Sequence, residues 1–185
     1  MCSVMLFSVC ACRSSSSGSD PSPSKAPDAG TDPEYGAGKR IYFATPMFSA
    51  ADKEFNLKVT RVFKAHGHTV FLTQRDGIEA ALLEGKSEEE LTEMIFALDA
   101  TEVSKADIVF VNLDGRVTDE GACVELGMAY ARGKRCYGLK TDTHSMELGM
   151  DLNPMITGCM IKIFKDYDGD ELLRRIDRYL TENEL

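Results

Sequence analysis

From residue 40 onward the chain alternates short β-rich apolar runs with stretches of helical periodicity. Residues 40–44 carry Ile41, Tyr42 and Phe43, a β-branched and aromatic mix that suits a buried strand. Phe55, Val59, Val62 and Phe63 then recur at helical spacing, and Gly67 supplies a C-terminal stop. Residues 69–73 read as a second strand, with residues 74–77 as the loop at its C-terminal end. Ser87 followed by Glu90 forms a capping box, in which each side chain satisfies the other residue's backbone amide. It opens a helix running toward Ser104, with Leu91, Met94, Ile95 and Leu98 on one face. Residues 107–113 contain a continuous apolar run of the kind found in the centre of a parallel sheet. A helix over 119–132 stops at Gly133, and two more strands follow at 135–139 and 160–164. The last helix, 170–182, buries Leu172, Leu173, Ile176, Tyr179 and Leu180.

This alternation predicts an α/β fold, a flavodoxin-like doubly wound five-stranded parallel sheet with helices on both faces, because right-handed crossovers leave few other arrangements. Ligands of such sheets sit beyond the carboxyl ends of the strands, where the strand order reverses. The loops of interest are therefore 45–51, 74–77, 114–125 and the stretch after Leu139.

Composition sets the limits of the domain. The chain has 185 residues, 43% of them hydrophobic, enough for one domain with a real core. Residues 14–38 are dominated by Ser, Pro, Gly, Asp and Ala, so residues 1–39 read as a leader and disordered linker and residues 40–185 as the folded domain. The 30 acidic and 21 basic side chains leave a net charge of -9. With no basic run interleaved with aromatics, that charge argues against nucleic acid as a partner. No apolar stretch approaches the roughly 20 residues that span a bilayer.

The apolar first twelve residues end in Val9-Cys10-Ala11-Cys12 and resemble a lipoprotein cleavage box with Cys12 as the acylated residue, although no basic segment precedes the run. The expected location is cytoplasmic, with a lipoprotein anchored through Cys12 as the alternative. Cys123, Cys136 and Cys159 have no CxxC or disulfide-like rhythm and read as small buried hydrophobes of a reducing compartment. His66 and His68 flank Gly67 and His144 lies in a polar loop, a pattern that gives little sign of a metal site.

Chemistry concentrates after the central strand, where several carboxylates and glycines precede a helix. Asp119 suits its N-cap, and Glu125 falls about one and a half turns in, on a face shared with Gly121, Ala122 and Ala129. A carboxylate near a helix N-terminus is kept ionised by the dipole, as a nucleophile requires. The same pattern equally suits an Asp119 that only caps and a Glu125 that faces solvent.

Over residues 41 to about 164 the chain resembles the nucleoside 2-deoxyribosyltransferase family. The likeness rests on the opening strand with Tyr42, Asp99 eight residues before Asp107, Asp119 six before Glu125, Glu125-Leu-Gly127 followed by Gly133-Lys134, and Asn153-Pro-Met155. The resemblance implies transfer of 2-deoxyribose between nucleobases by a retaining double displacement. Glu125 would be the nucleophile that forms a covalent deoxyribosyl intermediate, Asp119 the residue that hydrogen-bonds the base and shares its proton, and Tyr42 the residue that orients Glu125. Asp99 would hold the sugar, Gln74 and more weakly Asp76 would contact the base, and Asn153 with Met155 would be lent to a neighbouring subunit of a homo-oligomer. The implied partners are 2'-deoxynucleosides and free nucleobases, and the resemblance implies neither a metal nor an organic cofactor. Loop 45–51 has no assigned counterpart in the family. Two alternatives stand beside this reading: a 2'-deoxynucleoside 5'-monophosphate N-glycosidase, disfavoured because Asp119 would repel a phosphate, and a non-catalytic nucleotide-binding module.

Overall fold

A computed structural model describes residues 38–145 and 149–185. The expected leader and most of the expected linker, Cys12 included, lie outside the described residues, as do residues 146–148 of the loop after Leu139.

Five strands, β1 (Arg40–Ala44), β2 (Thr69–Leu72), β3 (Ile108–Asn112), β4 (Arg135–Lys140) and β5 (Lys162–Lys165), form one sheet in the order β2-β1-β3-β4-β5. Every pairing is parallel, and the central register sets Tyr42 of β1 against Phe71 of β2 and Val109 of β3. Strand order reverses between β1 and β3, so the crevice predicted from the element order opens beyond the ends of those two strands.

Side-chain alternation along the strands divides the core into two layers. Ile41, Phe43, Phe110 and Tyr137 face one side, together with Phe63 of helix α1 (Ala50–Ala65) and Leu172, Ile176 and Leu180 of helix α7 (Gly169–Glu182). Phe110 anchors this layer, with Phe63 4.5 Å and Tyr137 5.0 Å from its ring centroid. Tyr42, Ala44, Val109 and Val111 face the other side, with Val103 of helix α4 (Glu88–Lys105) and Ala122, Leu126 and Ala129 of helix α5 (Glu120–Ala131). The small alanines let α5 lie close to the sheet.

Local signals account for most boundaries. Ser49 and Ser87 start α1 and α4 with complete capping boxes, and α5 starts at the side chain of Asp119. Gly67 and Gly133, at φ of +80° and +69°, take the left-handed conformation that turns the chain after α1 and α5.

Several features differ from the expectation. Residues 73–76 form a helical turn, α2 (Thr73–Asp76), rather than a loop, because the Asp76 carboxylate accepts the Leu72 amide at 2.8 Å. The final strand begins at Lys162, since the amide of Met160 donates back to Thr157 in the turn after α6 (Pro154–Thr157). The apolar face of α4 is only partly covered: Leu91, Met94 and Leu98 are half-buried, whereas Ile95 and its neighbour Phe96 are exposed. One more short helix, α3 (Ala80–Leu83), lies between α2 and α4.

Candidate active site

The crevice at the strand reversal is built around Tyr42. Its position on β1 turns the ring toward the α4 and α5 side, where it stacks on Phe71 at 5.4 Å between centroids. The phenol donates a hydrogen bond of 2.7 Å to Oε1 of Glu125, the sixth residue of α5. Asp99 of α4 lies beside the same hydroxyl, and Thr73 reaches it from the start of α2. Among the described residues, Oδ1 of Asp99 is buried and has no hydrogen-bond partner.

Electrostatics follow from that crowding. Burial pushes the Glu125 carboxyl up to about 7; the Tyr42 hydrogen bond works against the rise, and the charges of Asp99 and Asp119 add to it. Asp99 is raised by burial and by the charge of Glu102, with Tyr42 opposing. The Tyr42 phenol is driven well above its ordinary range by burial and by Glu125, so it stays protonated and acts as a donor. The site is thus a half-buried cluster of carboxylates organised by one hydroxyl.

Asp119 stands at the mouth of the cluster as the N-cap of α5, its carboxylate accepting the Ala122 amide at 2.8 Å. Its two roles in the sequence reading are compatible, because a capping carboxylate uses one oxygen for the helix and has a second available.

Gln74 sits on α2, next in sequence to the Thr73 that meets Tyr42. Its Oε1 accepts from Nδ2 of Asn56 at 2.8 Å, and its Nε2 donates to the Lys53 carbonyl at 3.0 Å. Asp76 is differently engaged. Besides accepting the Leu72 amide it is paired with Arg75, which lowers its carboxyl against the opposing effect of burial.

Asn153 caps α6 by accepting the Met155 amide at 2.9 Å, and Met155 is 79% exposed. Asn153 lines a cavity of about 270 Å³ shared with Val117, Thr118, Cys123, Lys140 and Ile156, whose lining does not include Glu125 or Asp99. Within one chain, therefore, Tyr42, Asp99, Asp119 and Glu125 come together and Gln74 borders them, while Asn153 lines a cavity with Thr118 and Cys123 and Met155 is turned to the surface.

Two residues of this region are absent from the sequence expectation. Asn56 is fully buried and ties loop 45–51 to α2; its signal is a polar residue in the apolar stripe of α1, three positions before Val59. Thr73 carries no comparable signal. The histidines serve elsewhere: His66 pairs with Asp177 at 2.8 Å, and His68 Nδ1 accepts the Lys39 amide, both at the opposite end of the strands. His144 pairs with Asp142, whose carboxyl is brought to about 2 when hydrogen bonds from Lys140, the Gly115 amide and His144 overcome the effect of burial. Among the described residues no group of three or more His, Cys, Asp or Glu is arranged to hold a metal ion, and no helix is long and apolar enough to cross a membrane.

Comparison with known proteins agrees with this fold. The family model for nucleoside 2-deoxyribosyltransferase matches residues 41–169. The structure of a 2-deoxyribosyltransferase from Bacillus psychrosaccharolyticus is similar at a TM-score of 0.58 and 29% identity, covering 71% of this chain and 90% of that one. A conserved protein from Enterococcus faecalis shares the fold at a TM-score of 0.60 and 24% identity, over 78% of this chain and all of that one. So does a CMP N-glycosidase from Clostridium botulinum, at 0.53 and 20%, over 77% of this chain and all of that one. No curated protein matches the sequence. With a match over most of the folded domain and the five-stranded parallel sheet of a solved deoxyribosyltransferase, the chain belongs to the nucleoside 2-deoxyribosyltransferase family and is an enzyme of the deoxyribosyltransferase and N-glycosidase group.

Proposed function

We propose that the protein transfers 2-deoxyribose from a 2'-deoxynucleoside to a free nucleobase, with Glu125 as the nucleophile. The observation that carries this reading is the 2.7 Å hydrogen bond from Tyr42 to Glu125 inside a cluster of carboxylates. It leaves the second oxygen, Oε2, as the attacking atom and fixes the rotamer that presents it.

In the first displacement a Glu125 oxygen bonds to the anomeric carbon as the N-glycosidic bond breaks, through a transition state of oxocarbenium character. The electron pair of the broken bond stays on the base, which leaves neutral by taking the proton of the Asp119 carboxyl. In the second displacement a nitrogen of the incoming base attacks the same carbon, the glutamyl ester breaks, and that base gives up its proton to Asp119. Configuration is retained and Glu125 is regenerated. Asp99, with a buried oxygen free of partners among the described residues, accepts a hydrogen bond from a sugar hydroxyl. Gln74 contacts the base, with Asp76 a weaker contributor held back by Arg75.

Met155 is 79% exposed and the cavity lined by Asn153 does not include Glu125 or Asp99, which supports a homo-oligomer in which the two complete a neighbour's site. The exposed Ile95 and Phe96 of α4 and Val124 of α5 supply apolar surface for such an assembly.

The test is chromatographic. The domain from Lys39 onward, given deoxyinosine and cytosine, is expected to produce deoxycytidine, and Glu125→Ala to abolish it. Hypoxanthine release without deoxycytidine would instead assign the hydrolytic activity of an N-glycosidase, and absence of both products would favour a binding module.

A further inference from the structure

We propose that Asn56 is a positioning residue for base recognition: it dictates which end of the Gln74 carboxamide donates and which accepts in the cleft, and so sets the preference between amino- and oxo-substituted bases. This deepens the nucleoside reading and rests on it.

A carboxamide has two ends of similar shape and opposite hydrogen-bonding sense, so in isolation Gln74 would present either one. Here the sense is imposed by a chain of hydrogen bonds closed at both ends by main-chain carbonyls, which can only accept. Asn56 Nδ2 donates to the Pro46 carbonyl at 2.9 Å, and the same nitrogen donates to Gln74 Oε1 at 2.8 Å. Gln74 Nε2 then donates to the Lys53 carbonyl at 3.0 Å. The hydroxyl of Thr45 donates to Asn56 Oδ1, which occupies the remaining end of that amide. Turning Asn56 over would set oxygen against oxygen at Pro46, where a side chain that is 0% exposed leaves no room for water to relieve the clash, and turning Gln74 over would set nitrogen against nitrogen at Asn56.

With these partners in place, Gln74 retains one N–H and one lone pair, in a fixed order, for a ligand. Adenine and hypoxanthine share a ring system but exchange the donor and acceptor at the six-position and its ring neighbour. A carboxamide of fixed sense therefore pairs well with one of them in a given orientation and poorly with the other. An aspartate at position 56 has no N–H and accepts from Gln74 Nε2 instead; that charge-assisted bond outweighs the exposed contact with the Lys53 carbonyl, so the flipped amide is favoured and the preference inverts.

The experiment is a one-pot competition in which adenine and hypoxanthine intercept the intermediate formed from thymidine, so the donor step cancels and the product ratio reports acceptor discrimination alone. Asn56→Asp is expected to move the ratio about tenfold toward the base that the native enzyme disfavours. Gln74→Ala is expected to bring it near unity, and Asn56→Ala combined with Gln74→Ala to match Gln74→Ala alone, because Asn56 acts through Gln74. Should Asn56 variants fail to fold, Thr45→Val, which removes the hydroxyl on Oδ1, is expected to shift the ratio in the same direction by about threefold. A native ratio retained in folded Asn56→Asp, or in Thr45→Val when Asn56→Asp does not fold, overturns the proposal and leaves the transferase reading standing. Native enzyme that forms neither product overturns the reading itself, and the proposal with it.

Discussion

Glu125 is poised at the boundary between its two protonation states. A nucleophilic carboxylate must be ionised, and burial has raised this one to about 7, so the rate of glycosidic cleavage is expected to climb with pH through that value. The sign of each neighbour's effect follows from its charge. Removing the Tyr42 hydroxyl withdraws a hydrogen bond that stabilises the carboxylate, so Tyr42→Phe is expected to move the rising limb to higher pH and to lower the plateau by about 10²-fold. Removing the Asp99 charge relieves repulsion, so Asp99→Asn is expected to move the limb to lower pH even as it weakens sugar binding. Initial rates between pH 5 and 9 check both, and shifts in the same direction would contradict this electrostatic account. That Tyr42, Asp99, Asp119 and Glu125 lie near one another is legible in the sequence, because the resemblance picks them out by spacing. Asn56 is not legible in this way, since its importance comes from contacts with Pro46 and Gln74, which local periodicity cannot join.

Whole elements were read most accurately where they stabilise themselves. The capping box of α4 and the apolar run of β3 act over a few adjacent residues, so pattern alone locates them. α2 escaped because a tertiary position holds it: the turn depends on Asp76 reaching back to Leu72 while Gln74 is tied to α1. β4 shows the complementary case, in which an unremarkable glycine carries a packing constraint. A Cβ at Gly138 would stand 2.6 Å from the sulfur of Met160 and 2.7 Å from Cδ1 of Leu113. Gly138→Val is expected to cost about 1–3 kcal/mol, read as a lower denaturant midpoint with an unchanged slope.

At the scale of the whole molecule, periodicity identified the apolar face of α4 but could not say what covers it. Phe96 is 60% exposed, and Val124 on the adjoining α5 is 57% exposed. If a second copy covers this face and Asn153 serves a neighbour, light scattering should give a multiple of 20.4 kDa. Mixing Glu125→Ala with Asn153→Ala subunits, each defective alone, should restore a fraction of native activity, because some sites then receive a good Glu125 from one chain and a good Asn153 from another. Unrestored activity in subunits shown to exchange would place Asn153 in its own chain's chemistry.

The bond between Tyr42 and Glu125 joins positions 83 residues apart, on a strand and a helix that lie on either side of β3 in the sequence. Neither half of the chain holds a working fragment of the site. Recovery of turnover after dilution from denaturant is therefore a clock for the last long-range contact to close, and it will run behind any signal that reports helix content.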